Sequence, residues 1–231
     1  MRLLDVFNQL YKNKEIIGID ETGVGDFFTP VIGVCAFLPK NLHSWATELG
    51  IKDSKLLTDN RIQILAKELI KKIPYTKYIL TQSGYNKLVS KKYNANEIKY
   101  FVHMHCLEHF FDKYNNINVK DLAVLVDQYS TFNSILKYQK KFNEINLFND
   151  LDKKDIDIIY QPKAEFINLS VASASIIARY YLIEYMNKQR SEWNYEFAYG
   201  ASSKVKQQVK EFALKYGEES LEKVCKTSFK L

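Results

Sequence analysis

The chain is poor in arginine, cysteine and long apolar runs, and each scarcity removes a class of protein. Of its 33 basic residues only Arg2, Arg61, Arg179 and Arg190 are arginines, so the positive charge rests almost wholly on lysine. Lysine acts as a point charge that suits phosphate contacts and reads no base sequence. The three cysteines, Cys35, Cys106 and Cys225, lie far apart without a C-x-x-C pair. That excludes a disulfide framework, a zinc ribbon and a dithiol redox motif, and they read as reduced thiols of a cytoplasmic protein. The N-terminal MRLLDVFNQLYKNKE carries Asp5 in a short amphipathic run, too polar for a secretory core and too short for a span, so neither export nor a membrane partner is expected. Four prolines and eight glycines among 231 residues form no linker, and repeats are lacking. One compact domain follows, with residues 1–14 as a short extension. The net charge of +6 favours a polyanionic partner, although lysine surplus also serves ordinary solubility.

What is present alternates between strand and helix signals. Apolar runs at 15–20 and 30–38 read as strands joined by a glycine-containing loop, and 75–82 as a third. Leu122 to Val126 is a continuous apolar run of the kind found in the covered middle of a sheet, and 156–160 is a further short strand. Helical spacing runs from a Thr58 or Asp59 cap to Pro74, over 94–112, and from about Asn168 or Ser170, where Ala172, Ala174, Ser175 and Ala178 allow close packing on a sheet. Val205 to Tyr216 forms another helix with Gly217 as its stop, and a short helix follows to about Lys226. Residues 131–154 are polar and weakly patterned. The sum is an α/β fold with a mixed central sheet flanked by helices and a C-terminal helical section.

Carboxylates fall at the ends of these strands. Asp20 and Glu21 close the first strand and are followed at once by Thr22, Gly23, Val24 and Gly25, whose turn can redirect a side chain that strand alternation would send to the opposite face. Asp127 ends the buried strand, and Glu165 precedes the small-residue helix. An isolated acid pair at a strand end is ordinarily just solvated, but α/β proteins place sites at strand ends, and four acids converging there repel one another without cations. Such a set can hold two divalent ions, Mg²⁺ or Mn²⁺, about 4 Å apart, the arrangement of two-metal phosphodiester cleavage. Asp26 and Asp59 read as turn and capping residues.

Five ordered motifs then resemble one family. Gly18 to Asp26, Asp53-Ser54-Lys55-Leu56, Val126-Asp127-Gln128, Lys163-Ala164-Glu165 and Val171 to Arg179 are similar to the type 2 ribonucleases H, and to ribonuclease HIII in particular. The resemblance spans about residues 15 to 230. It implies a ribonuclease H-like fold for 15–231, including the C-terminal helices from about 168. It also implies metal-dependent endonucleolytic hydrolysis of RNA in RNA/DNA hybrids, leaving 3′-hydroxyl and 5′-phosphate ends. Asp20, Glu21, Asp127 and Glu165 fall on the family's metal-binding acids, and glutamate at the fourth position is HIII-like, where ribonuclease HII has aspartate. Segment 200–205 and the ending 226–230 also look HIII-like. Three features depart from the pattern. The TATA-binding-protein-like N-terminal domain of HIII is expected to be absent, Val24 replaces the usual threonine or arginine, and Ser228 stands where histidine is common.

On this reading Asp20 bridges both ions, and the Gly23-Val24-Gly25 main chain senses the ribose 2′-hydroxyl. Ser54 belongs to the substrate-contacting set, and Lys55, Lys163, Lys204 and Lys226 are candidate phosphate contacts. A monomer is expected. The alternatives are HII-like cleavage at single embedded ribonucleotides, a non-catalytic hybrid-binding module, and an integrase-like nuclease acting on DNA. His103, His105 and His109 raise a zinc reading, set against one buried and two surface imidazoles. The aromatics among lysines at 93–101 and 178–186 suit a core at helical spacing or stacking on bases.

Overall fold

The computed structural model describes residues 1–5, 7, 11, 13–52, 54–117 and 119–230; Asp53 of the second motif lies outside them. Strands are β1 (Arg2–Leu4), β2 (Glu15–Thr22), β3 (Val31–Phe37), β4 (Tyr75–Leu80), β5 (Leu122–Asp127) and β6 (Asp157–Gln161). Helices are α1 (His43–Leu49), α2 (Asp59–Lys72), α3 (Gln82–Ser90), α4 (Ala95–Lys113), α5 (Phe132–Asn143), α6 (Asn149–Asp152), α7 (Ala164–Ile167), α8 (Leu169–Trp193), α9 (Ser203–Tyr216) and α10 (Glu218–Val224).

The strands form one mixed sheet in the order β1-β6-β5-β2-β3-β4. β1, β6, β5 and β2 run parallel, and β3 and β4 return antiparallel. Parallel neighbours require covered faces, and the register shows how alternation meets that need. On β2, Ile17 and Ile19 enter a cluster with Val102, Cys106 and Phe110 of α4. On the opposite face Gly18 meets the start of α8, where a β-carbon would collide with the main chain of Ser170 and Val171. The small residues Ala172, Ala174, Ser175 and Ala178 are buried there. Close approach of helix to strand thus depends on smallness on both sides.

Helix starts follow capping chemistry. Thr58 accepts from Arg61 N at 3.3 Å, Asn94 and Glu97 form a reciprocal capping box, and Asn168 accepts from Ser170 N. The weakly patterned 131–154 segment contains α5, capped by Thr131, and the short α6. The N-terminal stretch contributes an edge strand: Arg2 pairs with Asp157 at 2.7 Å, and Tyr11 donates to the same carboxylate at 3.0 Å. The aromatics of the 93–101 segment pack inward, Tyr93 and Tyr100 stacking on Phe142. Among the described residues no helix is long and apolar enough to cross a membrane.

Candidate active site

Side-chain alternation sends Asp20 and Glu21 to different faces of the sheet, and the end of β2 is where they meet. Asp20 turns toward α8, where Ser175 hydrogen-bonds it, and its Oδ1 accepts from the Glu21 amide at 2.8 Å. Ser175 Oγ lies 2.7 Å from Ser54 Oγ, so the second motif is tied to the first acid through α8. Glu21 turns toward α4. There its Oε2 lies 2.8 Å from His103 Nε2 and its Oε1 2.9 Å from Lys99 Nζ. Asp127 closes β5 on the α8 side and accepts from the Ala164 amide at 3.1 Å. Glu165, in the first turn of α7, is buried and lies 3.4 Å from Lys55 Nζ through Oε1, while its Oε2 is buried without a hydrogen-bond partner.

Lys163 sets the last of these positions. It adopts φ 58° and ψ 40°, the left-handed region, and so reverses the chain between β6 and α7. A side chain that is neither glycine nor asparagine is uncommon there, and the strain is confined to the residue that aims Glu165.

Asp20, Glu21 and Asp127 line one cleft of about 440 Å³ together with Ser54, Lys55, Lys99, Tyr129, Ser175 and Arg179, among others. Its electrostatics are those of crowded acids. Burial, reinforced by the Glu21 charge, holds the Asp20 carboxyl well above the usual aspartate range. Burial also raises Asp127, with the Glu165 and Glu21 charges adding to it against the Ala164 hydrogen bond. Glu21 goes the other way. Burial alone would raise it, but the hydrogen bond and charge of His103, with Lys99, outweigh burial and bring it to about 2.

These residues suit hard divalent cations. The donors are carboxylate oxygens, one of them buried and unpartnered, and the raised Asp20 and Asp127 mark negative charge short of a counterion. As they stand, Lys99 and His103 hold Glu21 and Lys55 holds Glu165. Among the described residues no three acidic, His or Cys side chains converge closely enough to grip an ion.

The other expected contacts fall in four groups. Ser54 and Lys55 sit on the cleft wall. Lys163 and Lys204 are exposed and outside that lining. Lys226 is fully buried, its Nζ donating to the carbonyl oxygens of Gly23 and Asp26, so its ammonium serves the glycine loop and does not face a phosphate. Burial brings that ammonium down to about 7, opposed by the Asp26 charge. Gly23 has φ +83°, whereas Gly25 needs no left-handed backbone and is exposed, with nothing within 4 Å of where a β-carbon would stand. Val24 is half-buried against the α4-side core.

The zinc reading groups His103 with His105 and His109, but the helix turns His103 away from the other two, whose rings lie 6.2 Å apart on one face. His103 is buried against Glu21, and His105 packs its ring on Tyr78 4.7 Å away. The useful signal was the four-residue spacing of Lys99 and His103, which puts both on the face that meets Glu21. Arg179, bidentate to Asp59 at 3.0 and 3.1 Å, is a further cleft residue that spacing alone does not reveal.

Four parallel strands continued by an antiparallel pair, with acids at the ends of the two central parallel strands, define a protein of the ribonuclease H-like fold. The chain belongs to the ribonuclease HII family, whose profile matches residues 17–231. Ribonuclease HIII of Bacillus velezensis is 35% identical over 217 residues, covering 93% of this chain. Ribonuclease HIII of Listeria monocytogenes is 31% identical over 219 residues, covering 95% of this chain and 68% of that protein. The crystal structure of Bst-RNase HIII in complex with Mn²⁺ matches with a TM-score of 0.81 at 27% identity, over 94% of this chain and 67% of the other. This chain spans 65% of the length of the Bacillus velezensis relative.

Proposed function

We propose that this chain hydrolyses the RNA strand of RNA/DNA hybrids, in the manner of ribonuclease HIII, with residues 15–231 as the catalytic unit. The observation that carries the reading is the acidic cleft, where Asp20, Glu21 and Asp127 meet beside a loop whose Gly25 is open to close approach. Kinship with ribonuclease HIII proteins supports the substrate class.

Asp20, Glu21, Asp127 and Glu165 are the residues that would hold divalent ions, Mg²⁺ or Mn²⁺. Bound there, such ions supply charge stabilisation of the phosphate and a water acidic enough to attack it. The protein's own part is placement. Ser175 and the Glu21 amide fix Asp20, the Ala164 amide fixes Asp127, and His103 fixes Glu21. Lys55, Lys99 and Arg179 lie on the cleft wall where phosphates of the cut strand would run. Lys163 and Lys204, exposed nearby in sequence to the motifs, are outer phosphate contacts. The main-chain amides of Val24 and Gly25 are suited to the ribose 2′-hydroxyl, the group that separates RNA from DNA. The protein acts as a monomer in the cytoplasm; three buried free thiols accord with a reducing compartment.

A cleavage panel tests the proposal, with an all-RNA/DNA hybrid, a duplex carrying one ribonucleotide and a DNA duplex, each in Mg²⁺ and in Mn²⁺. Internal cuts in the hybrid RNA with 5′-phosphate products support it. Preference for the single ribonucleotide would favour the HII-like alternative, cutting of the DNA duplex an integrase-like one, and binding without cleavage a hybrid-binding module.

A further inference from the structure

The ending of the chain is built into the glycine loop. Lys226 donates its main-chain amide to Phe27 O at 2.8 Å. Its Nζ donates to Gly23 O and, at 2.9 Å, to Asp26 O, and lies 3.4 Å from Thr29 Oγ1. Thr29 Oγ1 in turn donates to Gly23 O at 2.9 Å. The segment is pinned on both sides of this lysine. Asn86 Nδ2 donates to Cys225 O at 2.9 Å and Asn86 Oδ1 accepts from the Thr227 amide at 3.1 Å, while Phe229 packs edge-on against Phe27.

A buried ammonium is tolerated only where acceptors replace its water, and here those acceptors are the loop's own carbonyls. Either protonation state keeps at least two N–H groups, enough for Gly23 O and Asp26 O. The peptide bonds are trans, so the Val24 N–H points opposite to the Gly23 carbonyl and therefore away from Lys226. Among the described residues the Val24 and Gly25 amides donate to no protein acceptor. The Gly23 carbonyl held inward thus presents the Val24 amide outward, next to the last residues of β2, while the Phe27 amide opposite the Asp26 carbonyl donates to Gly200 O at 3.2 Å.

We infer that Lys226 is a positioning residue: it fixes the Gly23–Asp26 loop so that the Val24 amide, with the Gly25 amide beside it in the chain, faces the ribose of the ribonucleotide strand and sets the preference for hybrid over DNA. The inference rests on the hybrid-cleaving reading for its ligand and on the loop contacts for its geometry.

The test uses the full chain as Lys226→Met and Thr29→Val, with affinities for an RNA/DNA hybrid and a DNA duplex of the same sequence measured by fluorescence anisotropy in EDTA. Amide hydrogen exchange of the loop is followed in the same proteins. Lys226→Met is expected to raise the hybrid Kd about tenfold while the DNA duplex Kd moves less than about twofold, and Thr29→Val, which keeps the lysine, to raise the hybrid Kd about threefold. A folded Lys226→Met protein with the wild-type hybrid preference overturns the inference, and should that variant not fold, Thr29→Val decides by the same criterion. If wild-type protein neither prefers nor cuts hybrid, the functional reading fails separately. Loop exchange then decides, speeding at least about tenfold in the variant if Lys226 holds the loop and keeping the wild-type rate if it does not.

Discussion

Asp127 carries two opposed consequences in one side chain. Its carboxylate belongs to a crowded acidic cleft where burial has already raised it, so its charge costs stability, a cost the proposed metal-holding role explains. Asparagine keeps the oxygen that accepts from Ala164 and removes the charge. Asp127→Asn is therefore expected to lower hybrid cleavage at least about a hundredfold, the equivalent of ~3 kcal/mol of transition-state stabilisation, while raising the thermal midpoint measured in EDTA. Loss of activity together with loss of stability would show that Asp127 is structural. Gly23 makes the complementary case. At φ +83° a β-carbon would collide with Pro30 O, so Gly23→Ala is expected to disturb the loop and depress hybrid cleavage, as steady-state kinetics would register.

At the scale of elements, the tightest demand is the contact of α8 with β2. Gly18→Ala drives a methyl into helix main chain that cannot move without its neighbours, and a destabilisation of roughly 1–3 kcal/mol is expected in urea unfolding. Lys163 offers the reverse. Glycine at its left-handed position is expected to be tolerated or to stabilise by up to about 1 kcal/mol, and a clear loss would mean that the Lys163 side chain supports α7. These positions also show what could be read from the sequence. The run 122–126 and the small residues of α8 disclosed a covered sheet because burial on both faces leaves no alternation to blur the signal. The edge strand β1 stayed hidden because three residues carry too little periodicity, and α5 because one buried face of a polar helix resembles a loop. The acids at strand ends were legible, whereas Lys99 and Arg179 were not. Their meaning depends on which strand end a helix crosses, and the register decides that only after folding. Lys226 reads as a phosphate contact in the sequence because nothing in its neighbours announces burial.

For the whole molecule, 33 basic residues against 27 acidic ones, almost all the former lysine, suit a partner held by its phosphates. If Lys55, Lys99, Lys163 and Lys204 contribute together, hybrid affinity is expected to fall at least about tenfold between 50 and 200 mM salt, and a flat titration would remove them as a group. The sheet supplies the other half of the account. Asp20 and Asp127 come from one of its faces and Glu21 from the other, so the cleft exists only at the strand ends, where side chains of α4 and α8 meet from the two faces. The most direct measurement is the rate of RNA-strand cleavage in an RNA/DNA hybrid as Mg²⁺ or Mn²⁺ is titrated, for the wild-type chain and for Asp127→Asn side by side. Cleavage that appears with the metal, leaves 5′-phosphate ends and is lost in the variant is the predicted result. Cleavage of equal rate in both proteins, or in EDTA, would contradict the assignment of this cleft.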